Sequence, residues 1–434
     1  MKKLFTIILL VFILFSQNSC LLYRGIRYYT PDIDEYNAFP QAKISKGESP
    51  FLFPSNKDSI TETIKIKQTK NGITTYATLD EYLNTTSTTA FIIIKNDTVV
   101  FENYYNGYHR NDISTLFSTT KSVVSLLVGI AVDEGEIKNV NDFVTDYVPE
   151  LKDADSNFQK LTIEHLLNMQ AGLDFNESYT NPFKDMARLF YGKDQLRQLK
   201  KLKFSQEPGF ENDYNSATTA LLGIVLERAV KRPFSEYLQD KVWKPLGMEY
   251  DATVNLDDKK HRSAKSYQGL NATAIDLAKI GRLYVNNGKW GEKQIVSKSW
   301  IEKCTTPNIE PDHFGYKYKG YQYHWYSSRT YFYDSLGNFR QFPDSLSALN
   351  FAQNLDLKFF KIWKNRGKNN SGNTINYHWE VTQYHPQYHT LGILDQILFV
   401  DPERKIIIVR LGKDWSNVDH FFLYKLCRYF PKIN

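Results

Sequence analysis

Cysteine is scarce: Cys20, Cys304 and Cys427 are the three in 434 residues. Two or three thiols cannot make the framework of a disulfide-stapled fold, and Cys304 and Cys427 read as buried free thiols. Long apolar runs are missing too. The longest, Leu4–Phe15, falls short of the roughly 20 residues that cross a bilayer as a helix. No dense Lys/Arg run occurs, and the net charge of +6 is spread along the chain, which argues against a nucleic-acid partner. His378, His385 and His389 form a loose group without zinc-ligand spacing, so no metal is implied, nor any cofactor. No repeat of solenoid or propeller period is visible. Aromatic residues, by contrast, are abundant, with 29 Tyr and 28 Phe, many of them late in the chain.

The N-terminus has the layout of an export signal. Lys2 and Lys3 precede the apolar run, and Ser16-Gln17-Asn18-Ser19-Cys20 follows it. Ser19-Cys20 resembles the end of a bacterial lipobox, although Gln17 departs from the usual aliphatic residue. The expectation is a signal peptide over 1–19 and a lipidated Cys20. The protein would then be exported and membrane-anchored, on the periplasmic face or at the cell surface. Residues 20–60, with Pro31, Pro40, Pro50 and Pro54, read as a tether and a wrapping arm, and residues 61–434 as one domain.

Within that domain, 90–101 predicts two strands around an Asn96-Asp97 turn. Helical spacing begins at Ser118: Val123, Leu126, Leu127, Ile130 and Ala131 predict a helix buried over most of its girth. Thr162 caps a short helix, and Ala217–Val230 and Pro233–Trp243 continue the pattern, so 140–285 reads as mainly helical. Strand character returns at 321–326, 397–400 and 406–411, and 417–430 reads as a closing helix. Strands at both ends with helices between predict an α+β fold: an antiparallel sheet built from both termini, with an inserted helical lobe. Residues 327–388 show no clear period. Their aromatic load, including Tyr331, Phe332, Tyr333, Phe359, Phe360, Trp363 and Trp379, predicts an insertion that packs as a lid over the cleft.

The chemistry starts at Ser118-Thr119-Thr120-Lys121. Residues three apart share a helix face, so the Lys121 amine can reach the Ser118 hydroxyl. A serine becomes a nucleophile once a base takes its proton, and a desolvated lysine can be that base. No other Ser in the chain has Lys three positions on. Tyr214-Asn215-Ser216, at a loop–helix junction, offers a phenol as proton shuttle and a second hydroxyl. Taken alone, both also read as ordinary packing and capping.

Ser118–Lys121 within Leu116-Phe-Ser-Thr-Thr-Lys-Ser-Val resembles the nucleophile motif of the serine β-lactamase and penicillin-binding-protein superfamily. Glu134–Ile137, Leu166–Leu173, Leu221–Gly223, Lys244–Met248 and Gly269–Asp276 resemble its framework in order and spacing. The likeness covers about 85–325 and 389–415, and is greatest to the class C-like esterase branch with the 6-aminohexanoate-dimer hydrolases. It implies that Ser118 forms an acyl-enzyme, Lys121 is its base and Tyr214 assists proton transfer. On the strand facing the nucleophile the corresponding text is Gly392-Ile-Leu-Asp-Gln396. The resemblance implies that the Gln396 N–H joins that of Ser118 in an oxyanion hole, with Ser216 and Asp395 lining the site. Ile393 stands where a cation is usual, which removes a partner for a β-lactam carboxylate. Asp395, in place of a glycine, implies a cationic substrate, a weakened enzyme or a structural carboxylate. The expected function is hydrolysis of a small ester or amide. The alternatives are a peptidase acting on cell-wall D-Ala-type peptides and a degenerate ligand-binding lipoprotein.

Overall fold

The computed structural model describes residues 31–56, 59–70, 73–178, 184–306, 320–332, 340–355, 357, 360–368, 375–416 and 418–432. The leader and Cys20 lie outside them, as do Tyr333 and Phe359. Two strands from the first quarter of the chain, β1 (Thr88–Lys95) and β2 (Thr98–Tyr104), join six from its last third. These are β3 (Tyr321–Gln322), β4 (Trp325–Tyr331), β5 (Phe360–Lys368), β6 (Ile375–His389), β7 (Ile397–Asp401) and β8 (Ile406–Gly412). The antiparallel order is β3-β4-β6-β7-β8-β1-β2. Strand β5 lies along the edge of β6 that β7 leaves unpaired, from Lys368↔Ile375 to Phe360↔Gln383. Asn96 and Asp97, both at positive φ, make the expected tight turn between β1 and β2.

The unbroken burial of β1 from Thr88 to Ile94 follows from cover on both faces. On one face lie α1 (Thr119–Asp133), α2 (Ser216–Val230) and α3 (Ala274–Val285), which share one core with the sheet through Ile92, Ile94, Leu398 and Ile407. On the other, α5 (His420–Cys427) and the capped helix Leu79–Asn84 cover Phe91, Ile93, Phe399 and Ile408. Helix α1 is buried from Thr119 to Ala131, as its period implied, and each such aliphatic contributes about 1.5–3 kcal/mol. Cys304 and Cys427 are free and buried.

The lobe at 140–285 is mainly helical, as expected, and also holds strands of a small sheet; two expectations further along need correction. Ala252–Asn255 and Leu270–Ala272 join Gln41–Ile44 of the arm and Ser114–Thr115 in a four-stranded sheet. Strands of two to four residues are too short to display a period, so only their pairing reveals them. The 321–326 strand is two strands joined by a hairpin at Tyr323 and His324, both with positive φ. Neither residue type signals such a turn.

The described part of the 327–388 stretch is also regular. It comprises most of β4, α4 (Ser345–Asn354), β5 and the 15-residue β6. Phe342, Ala348, Ala352 and Val381 form its own small core, with Phe332, Phe351 and Trp379 packed against it. That core lies about 25 Å along β6 from His389, at ~3.3 Å per residue. The described part of the insertion therefore lengthens the sheet along β6 and packs on a core of its own.

Candidate active site

Ser118 sits at the joint between the short strand Ser114–Thr115 and α1. Leu116 is tied to the small sheet through its N–H to the Leu270 carbonyl at 2.9 Å. Phe117 then takes a positive φ of 45°, uncommon for a bulky residue, which turns the chain sharply into the helix. The strain is held by packing, since Phe117 is buried with Ile33, Leu394 and part of Ile393. Ser118 occupies the N-cap, yet its hydroxyl makes no capping bond. The side chain is half-exposed and left over for chemistry.

Lys121, one turn on, is buried to 1% exposure. Its Nζ lies 3.0 Å from Ser118 Oγ, 3.2 Å from Ser216 Oγ and 2.9 Å from the Tyr267 carbonyl oxygen. Burial pushes its pKa down to about 8, against the opposing charge of Glu177. The Tyr214 ring faces the amine at 5.0 Å and meets Tyr321 edge-on at 5.5 Å. Burial raises the Tyr214 phenol well above its usual value, so it remains a proton donor at neutral pH. Behind the lysine, the buried His324 ring sets Nδ1 2.9 Å from the Lys121 carbonyl oxygen, and desolvation lowers it to about 4. His324 is thus a neutral structural group. Ser118, Lys121, Tyr214 and Ser216, scattered over almost a hundred residues of sequence, come together as expected.

Gln396 and Asp395 do not. The Gln396 N–H is spent on the Gly392 carbonyl at 3.3 Å. Its side chain brackets Gly412, with Nε2 donating to the carbonyl at 2.7 Å and Oε1 accepting from the N–H at 3.2 Å. Gln396 is a brace, and its carbonyl accepts from Thr119 Oγ1 at 2.8 Å, fastening the start of α1 to this turn. Asp395 is 4% exposed, and its carboxylate accepts the Ser416 N–H at 3.0 Å. The buried Arg410 guanidinium donates to the Leu394 and Asp395 carbonyls from the same side. Desolvation raises the Asp395 pKa. The carboxylate, bonded to the Ser416 N–H, secures the turn, in which Leu394 and Asp395 both have positive φ.

The glycine that matters is Gly392: a Cβ there would lie 2.4 Å from the Leu116 carbonyl oxygen, so only glycine lets this turn close on the nucleophile's turn. Among the described residues the N–H groups of Ser118 and Ile393 have no acceptor. Sequence reasoning also missed Glu177, whose carboxylate meets the Ser216 N–H at 2.9 Å and hydroxyl at 2.6 Å. No spacing or period marks it.

The three C-terminal histidines lie apart in their bonding. His378 contacts Glu380 at 3.0 Å, His385 packs on Tyr424, and His389 stacks on Tyr326 and His420. The metal-sized group among the described residues is elsewhere, at Asp257, Asp258 and His261. Its carboxylates are occupied by the backbone N–H groups of Gln195, Asp258, Ser263, Lys260 and His261.

Comparison with known proteins agrees with this geometry. The Beta-lactamase family matches residues 77–423. The 6-aminohexanoate-dimer hydrolase of Paenarthrobacter ureafaciens is 28% identical over 295 residues, covering 64% of this chain and 74% of that protein. A "Putative D-alanyl-D-alanine carboxypeptidase" of Salmonella agona (strain SL483) is 26% identical over 182 residues, which is 37% of this chain and 41% of that one. Among solved structures, the "Putative 6-aminohexanoate-dimer hydrolase from Bacillus anthracis" superposes with a TM-score of 0.64 at 20% identity, over 92% of this chain and 91% of that one. A class C β-lactamase superposes at 0.52 with 14% identity, over 82% and 95%. With a buried lysine beside a serine whose hydroxyl caps nothing, and a family match over most of its length, the chain belongs to the β-lactamase family, as a serine hydrolase.

Proposed function

We propose that the chain cleaves small esters or linear amides through an acyl-enzyme on Ser118. The observation that carries this is the buried Lys121 amine 3.0 Å from the Ser118 hydroxyl. In the proposed cycle Lys121 takes the Ser118 proton as Oγ bonds to the substrate carbonyl carbon, whose π electrons move to oxygen. The N–H groups of Ser118 and Ile393 receive that oxyanion. The tetrahedral adduct collapses, and the leaving alcohol or amine takes the proton from Lys121 by way of Tyr214. Water then repeats the sequence on the acyl-enzyme, returning Ser118 and releasing the acid. Tyr214, Tyr321 and Tyr326 pack edge to face in a row that starts at the Lys121 amine, and Ile393 offers no charge, which favours neutral acyl groups over β-lactam carboxylates. The 6-aminohexanoate-dimer hydrolase likeness supports linear amides as the substrate class. The carboxypeptidase likeness supports, as a second reading, release of a terminal D-amino acid.

Fluorophosphonate treatment followed by intact-mass analysis tests the nucleophile: one adduct is expected, and its persistence in Ser118→Ala would remove the assignment. Short p-nitrophenyl esters should turn over far faster than a chromogenic cephalosporin, and the opposite order would restore a β-lactamase reading. We propose also that export and lipidation at Cys20 attach the enzyme to a membrane. The support is the Lys2-Lys3, apolar-run and Ser19-Cys20 layout. Equal detergent-phase partitioning of wild type and Cys20→Ala would discard the anchor.

A further inference from the structure

Three oxygens surround the Lys121 amine: Ser118 Oγ, Ser216 Oγ and the Tyr267 carbonyl. The Tyr267 carbonyl can only accept. Ser216 Oγ could donate or accept, but it has one hydrogen, and Glu177 Oε1 lies 2.6 Å away. A carboxylate only accepts, so that hydrogen points to Glu177 and Ser216 turns a lone pair toward Lys121. The Ser216 N–H donates to the other carboxylate oxygen at 2.9 Å and holds the carboxylate in place. A neutral amine has two hydrogens and one lone pair. With both hydrogens drawn to Ser216 and Tyr267, the lone pair is left facing the Ser118 hydroxyl, as proton abstraction requires.

From this we propose that Glu177 is a positioning residue which, through the Ser216 hydroxyl, sets the direction of the hydrogen-bond relay and aims the Lys121 lone pair at Ser118. The inference rests on Ser118 being the nucleophile. It predicts a specific failure for Glu177→Gln. An amide offers one acceptor and one donor to the two Ser216 donors. The rigid backbone N–H takes the amide oxygen, and the amide nitrogen then donates to Ser216 Oγ. The Ser216 hydrogen swings to Lys121 and occupies its lone pair. The shape of the site is kept while the base is blocked. Loss of the carboxylate charge also removes the group that favours protonated Lys121. The other groups facing that amine are the Tyr214 ring and, through the Lys121 carbonyl, neutral His324, with Asp213 beside Glu177.

The test is the rate of Ser118 phosphonylation by a fluorophosphonate between pH 6 and 10, read by intact mass, with kcat and KM for a p-nitrophenyl ester. Glu177→Gln should label at least ~10²-fold more slowly at its plateau, with KM within about threefold of wild type. Its acidic limb should move to lower pH, a change that a merely structural role would not cause. Ser216→Ala should show a comparable loss, and the double variant should be no slower than the slower single one, since both break one relay. Glu177→Gln labelling within about threefold of wild type, with an unmoved limb, would overturn the relay and leave the hydrolase reading intact. If Glu177→Gln fails to fold, Ser216→Ala decides alone, and wild-type labelling in it overturns the relay. A wild type that takes no label at Ser118 would instead refute the nucleophile, and the relay with it.

Discussion

The reactivity of Ser118 should be governed by how much Lys121 is neutral, and that fraction can be worked out from burial. An ordinary lysine at 10.5 is neutral in about three molecules in ten thousand at pH 7. Desolvation brings Lys121 to about 8, so about one molecule in ten carries the free base at that pH, a gain of roughly 300-fold. The sign follows from the role. The reactive form is the deprotonated one, so kcat/KM for a short p-nitrophenyl ester should rise about tenfold from pH 7 to 9 and then level off, after subtraction of spontaneous hydrolysis. The perturbation is Lys121→Arg, which keeps a long cationic side chain but stays protonated throughout this range. It should lose at least ~10²-fold in kcat/KM and lose the acidic limb. A wild-type limb near 10.5 would mean that the amine is hydrated in solution. A flat profile from pH 6 to 9, or substantial activity in Lys121→Arg, would refute Lys121 as the base.

Gly392→Ala should lower kcat at least ~10-fold, because a Cβ 2.4 Å from the Leu116 carbonyl must push apart the two turns that form the site; kinetics matching wild type would show that the turns have room to separate. Glu35 of the arm is buried beside Tyr191, and desolvation lifts its pKa to about 8. Folded protein then holds a proton that unfolded protein releases between about pH 4.5 and 8, so this group's contribution falls as pH rises through that window. Glu35→Gln should remove the dependence and gain on the order of a few kcal/mol relative to wild type at pH 9, measured by urea unfolding; parallel pH curves would count against it. Phe342→Ala should loosen the small core around Val381, costing up to about 3 kcal/mol locally and raising protease sensitivity there. The ratio of kcat/KM for acetyl and octanoyl esters should stay within about twofold of wild type, and a changed ratio would return the insertion to the substrate site.

Local order was legible in the sequence where it repeats over several turns or strands. The apolar spacing of Val123 to Ala131 placed α1, and its all-round burial follows from cover by sheet and helices. The β-branched run at 90–94 with Asn96-Asp97 placed the first hairpin, because that turn needs residues tolerant of positive φ. Ser118 and Lys121 were legible as a pair because their partnership is itself local, three residues along one helix. Tyr214 and Ser216 were legible only through family likeness, since nothing in their own spacing points ninety residues back. What depends on distant backbone was not legible. The strands at 252–255 and 270–272 exist because the arm and Ser114–Thr115 pair with them. Gln396 and Asp395 were expected beside the substrate. A one-dimensional register cannot tell which way the residues of a tight turn project, and Arg410, Gly412 and Ser416 draw both of them to the far side. Glu177 carries no sequence signal at all. Its role arises when folding removes water from around it, leaving the Ser216 hydroxyl and N–H to face its carboxylate.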